Sequence, residues 1–243
     1  SDMRFRSTYN LTNMSNLFSG CEKLSSINWG NLNTGQVEDM SGMFNGCKAL
    51  SSLNLSNFNT SKVKNMSNMF SGCEKISSFD FSSFNTSEVT SMQNMFNGCK
   101  ALTTLDLVRL NASKVKDMSG LFSECTNLKS LSFGYGINSS EVTNMSAMFY
   151  NCQGLEVLDF GMFDTKNVTN MEEMFSGCTG LKTIYVTDGK FDTAAVTSSN
   201  NMFLDCNSIQ GEAETGYDAD HIDKEYARID GKDGKPGYLT EAS

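Results

Sequence analysis

Eight cysteines, at positions 21, 47, 73, 99, 125, 152, 178 and 206, are the residues of this chain best equipped for chemistry, and their spacing decides which chemistry is open to them. Zinc takes ligands in close pairs such as C-x-x-C, often with histidines. Here no two cysteines are closer than 26 residues, and His221 is the only histidine. An even cysteine count in a small secreted protein would suggest a disulfide framework. One cysteine per fixed interval instead describes a ladder. Stacked copies hold equivalent Cβ atoms about 4.8 Å apart, longer than the roughly 3.5–4.5 Å across a disulfide. The thiols are therefore expected to be free, buried and packed as small hydrophobes. The acids Asp80, Asp106 and Asp159 share a column with Asn54, Ser132 and Tyr185, and no insertion closes a cage around them, so a hydrated polar face is expected rather than a calcium site. No nucleophile stands with a base and an orienting acid, and no glycine-rich loop could cradle phosphate. The chain is expected to be no enzyme and to hold no metal or cofactor.

What positions these residues is a repeat whose clearest copy is Val63 to Thr86, V-K-N-M-S-N-M-F-S-G-C-E-K-I-S-S-F-D-F-S-S-F-N-T. Its Met-Phe or Leu-Phe pair recurs with Phe at 18, 44, 70, 96, 122, 149, 175 and 203, in steps of 26 to 28 residues. A period of that length marks a solenoid of about eight coils. In the first half of each unit Met66, Met69, Phe70 and Cys73 fall at i, i+3, i+4 and i+7, the spacing of one helix face. Asn13, Asp39, Asn65, Ser91, Asp117, Asn144, Asn170 and Ser198 precede that face and can cap a first turn. Gly20, Gly46, Gly72, Gly98 and Gly177 stand where a left-handed turn would end it, with Asn151 a tolerable substitute, while Glu124 and Asp205 break the pattern. The second half alternates, as in Leu53-Asn-Leu55, which predicts a short strand. The expected fold is thus α/β: a solenoid of short helix plus short strand, with a parallel sheet on one face. Val37, Val63, Val89, Val115, Val142, Val168 and Val196 would form one interior column, and Phe58, Phe84, Leu110, Ile137, Phe163 and Phe191 another.

A repeat across most of 243 residues argues for one elongated domain, expected over residues 11–209, with residues 1–10 a lead-in or a vector-derived remnant. No apolar run approaches the roughly 18 residues of a membrane span. The net charge of −9 argues against nucleic acid and anionic membrane as partners. After Cys206 nine acids face four bases, so residues 210–243 are expected to be an acidic C-terminal cap or linker.

Outward strand positions in coils two and three are small and polar: Ser52, Asn54, Ser56, Ser78, Asp80 and Ser82. From coil four onward they change to Val108, Arg109, Tyr135, Val157, Met162 and Tyr185. Exposed aromatic, Met and Arg residues are the usual anchors of an interface, so these six are the candidate binding residues. The competing expectation is a structural spacer or stalk that presents another domain.

The unit V-x-x-M-S-x-M-F-x-G-C-x-x-L-x-x-L-x-L-S-x-F-N-T resembles the repeat of BspA-like leucine-rich-repeat proteins, a bacterial surface family also common in lipoproteins of mycoplasmas and Listeria-like bacteria. The resemblance covers about residues 11–209, and Tyr226-Ala-Arg-Ile-Asp-Gly and Pro236-Gly-Tyr-Leu-Thr resemble the segment that follows such arrays. It implies a curved solenoid on a bacterial surface or secreted, with adhesion or recognition of a host protein or glycan. No catalytic or ligand residue carries over, because the shared words are scaffold positions.

Overall fold

In the computed structural model, which describes residues 10–134 and 137–242, the chain is a repeat solenoid with parallel strands. The expected helix is absent: no α-helix occurs among the described residues, and M-S-x-M-F-x-G-C is a run of turns. Its hydrogen bonds explain why. In coil one the amides of Met14, Asn16, Phe18 and Gly20 donate across to the carbonyls of Asp39, Ser41, Met43 and Asn45 in coil two, at 2.7–2.9 Å. The amides between them stay local, Leu17 to Met14, Ser19 to Asn16 and Cys21 to Phe18, at 3.0–3.3 Å. Alternate amides thus go to the neighbouring coil and to the chain's own turn, so none is left for the i−4 carbonyl that an α-helix requires.

That arrangement needs a positive φ twice per coil, at four-residue spacing. It occurs at Asn16 and Gly20, Asn68 and Gly72, and equally at Glu173 and Gly177. Glu124 and Asp205, which break the glycine pattern, adopt φ of 59° and 61°, because the ladder imposes the turn on them. The residues expected as N-caps make Asx-turns instead: the Oδ1 atoms of Asn13, Asp39, Asn65 and Asp117 accept the amide two residues on, at 2.7–3.0 Å. They also bridge coil to coil in parallel, from Asn13–Asp39 through to Asn170–Ser198.

The inward face is the expected one nonetheless. Met66, Met69, Phe70 and Cys73 are fully buried, because a turn ladder of period four and a helix of period 3.6 select the same residues over two turns. The landmark phenylalanines stack along the solenoid, with Phe44, Phe70, Phe96 and Phe122 at centroid spacings of 5.6–5.8 Å. The valine column from Val37 to Val196 is buried throughout, whereas the outermost member of the second column, Phe191, is only half-buried.

Strands form on the opposite flank, and only in the later coils. β1 (Thr104–Leu107) pairs in parallel with β2 (Ser130–Phe133). β3 (Val157–Asp159), β4 (Thr183–Val186) and β5 (Leu239–Glu241) form a second parallel sheet. The expected continuous sheet is thus two short ones, and coils one to three have no strand. Coil one carries Trp29 and coil three Phe79 with Phe81 at inward positions, where β1 and β4 carry only Leu, Ile and Val. The Trp29 indole N–H also takes the Asn54 carbonyl, at 2.7 Å, an acceptor that a strand ladder would use.

Beyond Ile209 the tail continues the stack. Phe203 donates its amide to the Ile222 carbonyl at 2.8 Å, Tyr238 is fully buried with its ring 5.1 Å from Phe203, and β5 extends the sheet beside β4. Asp230 ties this segment together, accepting from the Thr215 hydroxyl at 2.6 Å, the Thr215 amide at 2.9 Å and the Gly237 amide at 3.0 Å.

Candidate functional site

Each cysteine from Cys47 to Cys206 is buried and donates its Sγ–H to the phenylalanine carbonyl of the preceding coil, as Cys99 does to Phe70 at 3.3 Å and Cys178 to Phe149 at 2.9 Å. Burial pushes these thiols up, Cys47 to about 11 and Cys73, Cys125 and Cys178 to about 12. That is the wrong direction for a nucleophile or a metal ligand, both of which need the thiolate. Cys21, in the first coil, is exposed. Among the described residues no group of three or more His, Cys, Asp or Glu could hold a metal ion.

What the surface offers lies on the strand flank. Among the described residues four large hydrophobic ones are exposed, and three of them are sequence candidates: Val108 at 53%, Val157 at 50% and Tyr185 at 37%. The fourth is Leu17. Val157 opens β3 and pairs with Thr183, while Tyr185 lies between Asp159 and Thr240 in the register of β3, β4 and β5. The exposed ion pair of Lys182 with Glu156, at 2.6 Å, borders this patch. Arg109 is exposed, Met162 is half-buried against the core, and Tyr135 lies outside the described residues. The candidates therefore do not share one site: Val108 and Arg109 belong to a second place, the step from coil three to β1.

At that step the flank opens into a cavity of about 330 Å³. No backbone hydrogen bond joins residues 77–82 to β1, and the space between is walled by Phe79, Phe81, Phe84 and Phe96 on one side and by Leu107 to Leu110 on the other. The rings support one another, Phe79 stacked on Phe81 at 5.4 Å and Phe84 edge-on to Phe81 at 4.9 Å. Asp80 and Asp106 stand at the mouth, each held through Oδ1 by the amide two residues on, Ser82 and Val108, at 2.9 Å. The Ser82 amide and hydroxyl keep the Asp80 carboxyl below the usual carboxylate range. At the end of β2, a Cβ on Gly134 would lie 2.0 Å from the Val108 carbonyl oxygen, so this close approach admits only glycine.

The family described as "Mycoplasma protein of unknown function, DUF285" matches residues 12–133 and 134–228, the whole turn ladder and part of the tail. The chain belongs to that family. The match agrees with the resemblance to BspA-like leucine-rich-repeat proteins read from M-F-x-G-C and L-x-x-L-x-L. No curated protein matches the chain. Among solved structures, it is similar to a leucine-rich repeat protein of T. pallidum (18% identity, TM-score 0.38, 55% of this chain and 56% of that one). It is also similar to leucine-rich repeat proteins of Bacteroides ovatus (17%, TM-score 0.42, 86% and 62%) and Eubacterium ventriosum (16%, TM-score 0.41, 89% and 66%). The chain thus spans less than two thirds of each of these proteins. All three scores lie below 0.5, so any functional reading of this family member rests on its own surface.

Sequence reasoning missed Phe79 and Phe81, placing coil three among the coils with no anchor. The signal was the word Phe-Asp-Phe where neighbouring coils read Leu-x-Leu: two rings exceed the volume of the column, and both remain partly exposed. No helix among the described residues is long and apolar enough to cross a membrane.

Proposed function

We propose that this chain is a non-enzymatic binding module of the bacterial surface or of secreted material, holding a protein or glycan on the strand flank of coils four to seven. The observation that carries this reading is the distribution of exposed apolar residues. A solenoid built from copies of one unit has no packing reason to place Val108, Val157 and Tyr185 in water on a single flank, where the equivalent positions of coils two and three are Ser, Asn and Asp. Exposed apolar groups rimmed by polar ones mark contact surfaces. A spacer would need none of them. The turn flank supplies rigidity, since an ordered platform loses less freedom on binding.

The test is capture of extracellular proteins and a glycan panel by the intact chain and by Val157→Asp combined with Tyr185→Ala. Both side chains are exposed, so the melting temperature should stay within about 2 °C, consistent with the small stability effect of surface changes, while capture should fall at least tenfold. Undiminished capture would move the surface elsewhere, and no capture by either protein would favour the spacer. Met162 is left out because its half-buried side chain also supports the core.

A further inference from the structure

From the cavity between coil three and β1 we infer that this chain binds an uncharged sugar ring there, one or two units of a neutral glycan. The inference rests on the binding reading above but names its own site and ligand class. Three features of the cavity select that class.

The first is its walls. Phe79 and Phe81 are partly exposed, and the buried Phe84 and Phe96 line the same cavity. A pyranose has an apolar face of C–H groups that lies flat on such rings, and a stack of mutually supporting phenylalanines is a preformed platform.

The second is its rim, which carries both signs. Asp80 and Asp106 are acceptors held in place by their Asx-turns, while Arg109 on the same rim is a donor with no ion pair among the described residues. With two carboxylates against one guanidinium the mouth repels an anion, while a cation drawn to the carboxylates must sit beside the like charge of Arg109. A hydroxyl-bearing neutral ring meets no such penalty, because each hydroxyl both donates and accepts: it can give its proton to an aspartate and receive one from the guanidinium. Mixed donors and acceptors around an apolar floor are the pattern of a site that orients a small polar molecule.

The third is size. A volume of about 330 Å³ lies at the lower end of the ~300–1,000 Å³ range of small-ligand sites, room for one or two rings and not for a folded partner. The opening also has a structural cause, since the Phe-Asp-Phe word props coil three away from β1. The same bulk that interrupts the sheet therefore makes the site.

The experiment is saturation-transfer NMR on the intact chain with maltose, cellobiose, lactose and N,N′-diacetylchitobiose, beside two charged probes, a lysine hexapeptide and a sulfated disaccharide. At least one neutral disaccharide should show saturation concentrated on its ring C–H protons. That signal should fall at least tenfold in Asp80→Asn combined with Arg109→Ala, two exposed changes that leave the aromatic walls intact. It should persist in the Val157→Asp, Tyr185→Ala protein. Silence from all four neutral sugars would overturn the proposal, as would a lysine-peptide signal that exceeds theirs and disappears in Asp80→Asn. If the sugar signal fails while Val157 and Tyr185 still govern capture, the general binding reading survives without this site. If the sugar signal holds while capture does not depend on Val157 and Tyr185, the reverse follows.

Discussion

On the flank built from M-S-x-M-F-x-G-C, every pair of neighbouring coils shares the same backbone hydrogen bonds, whereas on the L-x-x-L-x-L flank only coils four and five, and then six, seven and the tail, are joined as sheets. Both flanks belong to the same coils, so stacking distance alone does not explain the contrast. On the turn flank the residues that point inward, Met, Phe and Cys, are nearly identical from coil to coil, and identical neighbours pack at one spacing. On the strand flank the inward pair varies from Leu53 with Leu55 to Phe79 with Phe81 and Ile184 with Val186. A ladder tolerates little variation in volume: it closes between Leu105–Leu107 and Leu131–Phe133 and between Leu158 and Ile184, and it stays open beside the paired rings Phe79 and Phe81. One flank is uniform and carries stability, while the other varies and is free to carry recognition.

This contrast breaks most visibly in alkali. The buried thiols of the turn flank have their pKa raised above the ordinary 9.0, so their stabilisation is complete below about pH 9 and is lost as pH rises through their folded values near 11–12. Unfolding would release each proton at its ordinary value. Each buried thiol therefore adds a slope of about 1.4 kcal/mol per pH unit in that window. Several of them acting together should unfold the array cooperatively between pH 9 and 11, with full thiol labelling appearing at the same midpoint. Gradual labelling of a protein that keeps its circular dichroism would mean that the ladder opens one coil at a time.

Next in size is a pair of phenylalanine truncations. Phe96→Ala removes a stacked ring from the turn flank and should cost about 3–5 kcal/mol in denaturant unfolding, the usual range for a buried Phe. Phe79→Ala, whose ring is already partly exposed, should cost about 1–2 kcal/mol, since less transfer energy is lost and the opening can relax. Equal costs would show that coil three packs as tightly as its neighbours.

How much of this was legible in the sequence follows the same division. The coil count, the interior columns and the inward set of Met69, Phe70 and Cys73 could be read because copies at a fixed period must face the same way. By its buried face the helix could not be distinguished from a turn ladder: over eight residues both bury i, i+3, i+4 and i+7, and Asn65 suits an N-cap and an Asx-turn equally. What separates them is the second left-handed position, which is Asn or Gly at Asn16, Gly42, Asn68, Asn94, Gly120 and Asn201, residue types suited to a positive φ that a helix interior does not call for, and is disguised only at Ala147 and Glu173. On the strand flank the departures at Val108, Val157 and Tyr185 were readable as departures, and the structure leaves all three exposed. The cavity was not readable, because it depends on Phe79 and Phe81 failing to fit, a question of volume between coils rather than of residue type.

The tail sharpens the comparison at the open end of the stack. Burial pushes the Asp230 carboxyl up, but the Thr215 hydroxyl and amide and the Gly237 amide together outweigh it and hold the group below its ordinary 3.8. With the folded value depressed, its contribution is present above pH 3.8 and is lost as pH falls through the lower folded value. Asp230→Ala should cost about 1–3 kcal/mol at neutral pH, the range for hydrogen bonds to a charged group. The loss should be smaller at pH 3. If the tail covers the last coil as a cap, this variant should also associate as concentration rises, because Tyr238 and the β4 edge would become accessible.

The smallest effect lies at a single methyl group. Between the two flanks runs a file of hydroxyls, in which Thr60 accepts the Asn85 amide at 2.8 Å and donates to the Asn85 carbonyl at 2.9 Å, and Thr86 does the same for Asn111 at 2.9 Å and 2.9 Å. Ser139 repeats it with Asp164, at 2.8 Å and 3.1 Å. Only between coils four and five is the file interrupted, where fully buried Ala112 stands at the equivalent position and offers Asn138 no oxygen. The interruption coincides with the 27-residue step of the repeat, so the added residue and the missing hydroxyl fall at one junction. Because Ser139 shows that a serine fits this file, Ala112→Ser should restore the bridge and raise stability by about 0.5–1.5 kcal/mol, the net worth of one intramolecular hydrogen bond. Denaturant unfolding would read it as a higher midpoint with an unchanged slope. A lower midpoint would mean that the longer coil holds the Asn138 backbone out of reach, and that the hydroxyl has been buried without a partner.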